Sequence, residues 1–195
     1  MIRLNLTSVA LVVVLACWLV FVLTFLLRKP PVTSDRKRDP GSIFGIVLQG
    51  LSFLLVWVVR RPIFTSFVSF SKAITGVFEI IAVVSAIASI LLVIAAVKTL
   101  GKEWSLTARV VTGHKLATKG PYNFVRHPIY TAMLGMLLAN GIAFSYWPAL
   151  LVAIAVYLGG TLIRIRSEER LLRETFGAEF EAYARRVPAL LPGLY

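Results

Sequence analysis

The sequence predicts an all-α polytopic membrane protein with about five transmembrane helices, and three observations predict it. The 195-residue chain is 58% hydrophobic and only 15% charged, with a mean hydropathy of +0.83, whereas soluble domains carry about 25% charged residues. Its apolar runs have lengths that suit a bilayer, which a helix of about 20 residues crosses. Its basic residues sit in short stretches between those runs, on alternate sides.

The first run, Leu4 to Leu27, is about twice the length of a signal-peptide core and no small-residue cleavage site follows it, so it is read as a span. Ile43 to Val59 is shorter and calls for little tilt or local thinning of the bilayer. Ile74 to Val97 is a third span of full length. The apolar region from Ile129 to about Ile163 is interrupted at Ser145-Tyr146-Trp147-Pro148, where proline cannot continue the preceding helix, and reads as a tight helical hairpin giving spans four and five. Residues 1–97 are thus expected to form a three-span region and residues 98–195 a second region with the hairpin and polar C-terminal helices.

Segments 28–39, 98–126 and 164–195 carry 17 of the 21 Lys and Arg residues, against 4 on the other side, Arg3, Arg60, Arg61 and Lys72. The positive-inside rule then places the N-terminus outside and the C-terminus in the cytoplasm. It also puts the two longest polar segments on one side, where they can meet. The net charge of +12 is explained by this distribution and not by nucleic-acid binding. The single cysteine, Cys17, lies within an apolar run, which excludes a disulfide framework and a Cys-based metal site; no metal is expected.

The polar loop contains Gly113-His114-Lys115-Leu116 and then Gly120-Pro121-Tyr122-Asn123-Phe124-Val125-Arg126-His127-Pro128-Ile129-Tyr130. Gly120-Pro121 signals a turn, and Pro128 suits the first turn of a helix. A helix starting there aims backbone N–H groups at the polar side and favours an anion such as a carboxylate. Arg126 adds a planar cation, His127 a titratable ring, and Tyr130 lies near the same helical face. Taken singly, each of these residues reads more simply as part of an interfacial belt; the cluster is what weakens that reading.

The second polar element, Arg164-Ile165-Arg166-Ser167-Glu168-Glu169-Arg170, follows span five. Adjacent carboxylates at a membrane edge are costly unless paired or useful. Arg164 and Glu168 are spaced for a helical ion pair, which would leave Glu169 to point elsewhere; Arg170, Arg173 and Glu174 read as a solvated face. Gly177 is a plausible helix end. The amphipathic stretch beyond it, with Phe180 and Tyr183 three apart, is expected to dock on the membrane surface or to lid the site.

Together, Gly120-Pro121-Tyr122, Arg126-His127-Pro128-x-Tyr130, Glu168-Glu169 and Phe176-Gly177-x-x-Phe180-x-x-Tyr183 resemble the isoprenylcysteine carboxyl methyltransferase family, with its bacterial and archaeal relatives and the phospholipid methyltransferases. The resemblance covers roughly residues 98–192. It implies an integral membrane enzyme that uses S-adenosyl-L-methionine, with S-adenosyl-L-homocysteine as product, in a pocket reached from the cytoplasm while a lipophilic or prenylated acceptor enters from the lipid. Carried over by position, it implies that His114, Leu116, Ala117, Tyr122, His127, Pro128, Ile129 and Tyr130 line the cofactor pocket. Glu169, with Glu168, matches the acidic residue of that pocket, and Arg164 a basic residue near the acceptor. The family often has a bulkier aliphatic residue at the place of Ala117.

These residue types suit the reaction: the donor is already activated, so alignment supplies most of the catalysis and no metal is needed. The candidates for catalysis are Arg164, Glu169 and Arg126, the last of which, or the helix start, can hold the donor's carboxylate. Two other classes compete. Membrane sterol and steroid reductases, which use NADPH, share a similar Arg-His-Pro-x-Tyr and Glu-Glu ending but are generally longer. A transporter or scaffold is the non-enzymatic reading; it would draw on Glu79, the one acidic residue within a span, which lies near the outer end of span three in reach of water or Lys72.

Overall fold

The computed structural model describes residues 6–27, 37–38, 41–62, 65, 67, 71–101, 109–110 and 116–191. Its long elements are helices: α1 (Leu6–Leu26), α2 (Gly41–Val58), α3 (Lys72–Leu100), α4 (Pro128–Phe144), α5 (Trp147–Phe176) and the short α6 (Ala178–Ala184). Each of the five expected spans is a helix within a few residues of its predicted limits, except that the last continues thirteen residues past Ile163 to Phe176. Four of them, α1, α2, α3 and α5, are long and apolar enough to cross a membrane. The chain is therefore a helical membrane protein.

The fifth expected span, α4, has 17 residues and is about 26 Å long against a hydrocarbon core of about 30 Å. Its position accounts for this. Ala132, Met136, Leu137, Ala139 and Asn140 are all fully or almost fully buried, and α4 packs against α1, α2, α3 and α5. A helix that is apolar all round and wrapped by others is shielded from lipid by protein. By contrast, Val12, Leu26, Ile43, Leu54, Ile80, Leu91 and Leu151, on the surrounding helices, are exposed and form lipid-facing surface.

Local chemistry sets the ends of the elements. The Ser71 side chain accepts a hydrogen bond from the N–H of Ile74 at the start of α3. The break at Ser145-Tyr146 separates α4 from α5, with Pro148 in the first turn of the second helix, as expected. The polar run from Arg164 onward continues α5 without a break, making one helix of 30 residues that ends at Gly177, whose φ of +50° is left-handed. A feature absent from the sequence prediction is a two-residue antiparallel pair, Lys37–Arg38 with Arg109–Val110, joining two connections.

In lipid, helices associate through close packing and polar contacts, since burial from water no longer drives them together. The contact between α2 and α5 shows this. A Cβ added to Gly45 would lie 2.5 Å from Cγ of Arg164 and 2.7 Å from the Gly160 carbonyl oxygen, and one added to Gly160 would lie 2.8 Å from the Gly45 carbonyl oxygen. Only glycine at both positions permits this approach.

The far end of α4 is held differently. The Arg61 side chain donates through Nη2 to the carbonyls of Ile142 and Ala143, at 2.5 and 2.9 Å, and its backbone N–H donates to Phe144. The guanidinium also lies 5.5 Å from the centre of the Phe67 ring. Among the described residues, Nη1 of Arg61 and Oε1 of Glu79 have no hydrogen-bond partner, and both side chains line one small recess with Thr7, Phe67, Thr75 and Phe78. The side chain of Lys72, considered above as a partner for Glu79, lies outside the description.

Candidate active site

The approach to α4 begins with a single 3-10 turn, Gly120–Asn123, at the predicted Gly-Pro signal, and the turn packs against α3. The chain then runs beside the C-terminal strip: the N–H of Arg126 donates to the Pro188 carbonyl at 2.8 Å, and that of His127 to the Ala189 carbonyl at 2.9 Å. Thr131 donates its hydroxyl to the Leu190 carbonyl. These bonds occupy several of the donors expected to face an anion at the helix start. Pro128 has no N–H to offer, and the N–H groups of Tyr130 and Thr131 turn back to the His127 carbonyl.

Beside this start, α5 presents Glu168 and Glu169. The His127 ring lies between them, Nδ1 being 3.4 Å from Oε2 of Glu168 and Nε2 3.3 Å from Oε1 of Glu169. Successive helical residues point about 100° apart, so the two carboxylates serve different partners. Glu169, 4% exposed in its side chain, receives Nε and Nη2 of Arg126 at 2.9 and 2.8 Å and, on its other oxygen, Nη2 of Arg173 at 3.0 Å. Nη1 of Arg126 donates to the carbonyls of Ala184 and Val187. Every guanidinium nitrogen of Arg126 is thus engaged, and Glu169 points away from Arg164, as its spacing suggested, toward Arg126 and Arg173. Arg173, read as part of a solvated face, also bridges to Glu181 at 2.8 Å and lies over the Phe180 ring.

Glu168 is more open, 23% exposed in its side chain. Its Oε1 accepts from the Tyr130 hydroxyl and, at 3.4 Å, from Nη2 of Arg164, the helical pair expected from spacing. The Arg164 guanidinium lies 4.9 Å from the centre of the Tyr130 ring, and Tyr130 stacks on His127 with planes 13° apart. Nη1 of Arg164 donates to Oε1 of Gln49 at 3.0 Å, and Nε2 of Gln49 donates to Thr161 at 2.9 Å. The Tyr157 hydroxyl fixes the Tyr130 backbone by donating to its carbonyl at 2.7 Å. Sequence reasoning missed Gln49, Thr161 and Tyr157. A lone amide within an apolar span was the available signal for the first.

Pro128 and Tyr122 are buried, and Ile129 is half-buried against the membrane core. Leu116 packs on the cluster of Phe180, Tyr183 and Val187, and Ala117 is half-buried nearby in sequence. His114 lies outside the described residues. Phe180 is fully buried and Tyr183 4% exposed, its hydroxyl donating to the Tyr122 carbonyl at 2.6 Å. Of the two roles expected for these aromatic residues, docking on the membrane surface is not the one seen, since they form the core beneath α6, where Leu116, Leu172 and Phe176 cover their apolar face.

The electrostatic consequence is clearest at two groups. Burial alone would lower the proton affinity of His127, but hydrogen bonds to Glu168 and Glu169, with their charges, outweigh it and raise its pKa above 6.5. Burial pushes the Tyr183 hydroxyl up to about 12 although Arg126 opposes this, so it stays a donor. Among the described residues no group of three or more His, Cys, Asp or Glu side chains is placed to hold a metal ion.

Residues 80–174 match the family model described as the isoprenylcysteine carboxyl methyltransferase (ICMT) family. The chain is 38% identical over 100 residues to the nickel-cobalt-cadmium resistance protein NccN of Alcaligenes xylosoxydans xylosoxydans, covering 49% of this chain and 45% of that protein. It is 35% identical over 80 residues to protein-S-isoprenylcysteine O-methyltransferase B of Arabidopsis thaliana, covering 40% of each. To methanethiol S-methyltransferase 2 of Bradyrhizobium diazoefficiens it is 37% identical over 91 residues, 44% of this chain and 32% of that one. The chain thus spans about half or less of the length of these curated relatives.

Proposed function

We propose, on the premise that residues 80–174 belong to the isoprenylcysteine carboxyl methyltransferase family, that this protein transfers a methyl group to a lipophilic, anionic acceptor at the membrane. The observation that carries this reading is the placement of Arg164. It stands where α5 passes from its apolar stretch into the polar network, over the Tyr130 ring and next to Glu168. A guanidinium there can receive the carboxylate of an acceptor whose apolar tail lies in lipid.

S-adenosylmethionine, when bound, supplies a methyl group already activated on a sulfonium. The residues present suit such a donor in chemical kind. Glu168, the more open carboxylate, can accept from an ammonium or ribose hydroxyls, and the stacked Tyr130 and His127 rings offer aromatic surface to a cationic sulfur. Leu116, Ala117, Tyr122, Pro128 and Ile129 supply walls around them. Arg126 and Glu169 act here as positioning residues: they tie the start of α4 to α5 and the C-terminal strip, fixing His127 and Tyr130 in place.

Arg164 orients the acceptor oxygen and holds its charge, and the apolar walls limit competing attack by water. The names of the relatives include transfer to oxygen and to sulfur, so the acceptor atom is an outcome of the test. The charge asymmetry of 17 against 4 Lys and Arg supports a site facing the cytoplasm. The test is incubation of the purified protein with labelled S-adenosylmethionine and S-farnesylcysteine, with products identified by mass spectrometry. A labelled methyl ester is the expected product. Binding of NADPH without binding of S-adenosylhomocysteine would replace this reading with that of a reductase.

A further inference from the structure

We infer that Gln49, on α2, is a positioning residue for Arg164, one that holds the guanidinium over the Tyr130 ring through a neutral carboxamide. Gln49 is 2% exposed at the middle of α2, on a buried face shared with Ser42, Gly45, Ser52 and Val56, where an unsatisfied amide is costly. Both ends of its amide are engaged. The nitrogen donates to Thr161, itself fully buried, and the oxygen accepts from Arg164 three residues further along α5. The guanidinium, which can only donate, fixes the amide oxygen toward itself, and the Thr161 hydroxyl accepts from the amide nitrogen.

The backbone makes this register possible. Gly45 and Gly160 bring α2 and α5 into direct contact, and a Cβ at Gly160 would stand 3.2 Å from the Gln49 backbone nitrogen. Gln49 is therefore held against α5 by the close approach of the two backbones. The Arg164 guanidinium is gripped from two sides by groups of different charge, Gln49 through Nη1 and Glu168 through Nη2. Glu168 is shared with Tyr130 and His127. A second carboxylate in place of Gln49 would hold the same geometry while neutralising the charge that an anionic acceptor needs.

This inference rests on the methyltransfer reading, and the experiment separates the two. Native protein, Q49L, Q49E and T161V are compared for kcat and KM with S-farnesylcysteine and with S-adenosylmethionine, and for S-adenosylhomocysteine affinity by calorimetry. Q49L is expected to lower kcat/KM for the acceptor about ten- to a hundredfold, with donor affinity unchanged within about twofold. Q49E is expected to act mainly by raising the acceptor KM. T161V, which keeps Gln49 and removes only its partner, is expected to reproduce a smaller version of the Q49L effect and serves if Q49L does not fold. Unchanged acceptor kinetics in Q49L, or an equal loss of donor and acceptor binding, would overturn the inference while leaving the methyltransfer reading intact. Absence of methyl transfer by the native protein would overturn both.

Discussion

At the start of α4, His127 lies between Glu168 and Glu169, and Arg126, Arg164, Arg173, Tyr130 and Gln49 close a network drawn from α2, α4, α5 and the approach to α4. At its other end a single side chain, Arg61, covers two helix-terminal carbonyls, while Nη1 of Arg61 and Oε1 of Glu79 have no partner among the described residues. The first arrangement holds ionisable groups in fixed relation to one another. The second seals a helix end, satisfying carbonyls that have no partner within α4. Buried charge by itself does not distinguish a reactive site from a cap; multiple cross-linking between distant segments does.

The strongest way to break this contrast is E169A. It leaves the buried Arg126 guanidinium without its carboxylate, and losing one partner of such a pair costs about 3–5 kcal/mol. Thermal unfolding in detergent is expected to shift downward accordingly, with methyl transfer lost; unchanged stability would show that the network is not a unit. R61A is expected to cost less, about 1.5–3 kcal/mol for hydrogen bonds made by a charged donor. In the same assay, KM for S-farnesylcysteine should hold, and a raised KM would merge the two ends into one functional system.

A third test uses pH. The raised pKa of His127 means that its charged form stabilises the fold fully below the unfolded value of 6.5, and that this contribution disappears as pH rises through the higher folded value. Native protein should therefore lose thermal stability on that alkaline side, and H127Q should flatten the dependence; an identical slope in H127Q would remove His127 from the account. The smallest effect is expected of E79Q, within about 0.5 kcal/mol and without change in methyl-transfer rate. Loss of methyl transfer in E79Q at unchanged stability would instead tie that carboxylate to the reaction and erase the contrast between the two ends.

The spans were legible because length and apolarity report a bilayer directly. The polar break at Ser145-Tyr146-Trp147-Pro148 and the Gly-Pro turn before α4 were legible because proline and glycine act on their own backbone. The site was legible as two clusters, but their wiring was not. Adjacency of Glu168 and Glu169 says nothing of their partners, which depend on how α5 is rotated against α4. Phe180 and Tyr183 show the same limit: amphipathic spacing reveals an apolar face but not whether lipid or protein covers it. Gln49 was missed because its role depends on a crossing of α2 and α5 at Gly45 and Gly160, a relation between residues 115 apart in sequence.

The strip of carbonyls from Val187 to Leu190 that receives Arg126, His127 and Thr131 has a consequence for biosynthesis. A nascent chain that has already inserted α1 to α5 into lipid still has the approach to α4 unsealed, with two backbone donors and a guanidinium waiting for acceptors that have not yet been translated. Closure of this network is therefore separate from membrane insertion of the helices that precede those acceptors. Two molecules with the same embedded helices can differ in whether the ion-pair network between those helices has been closed.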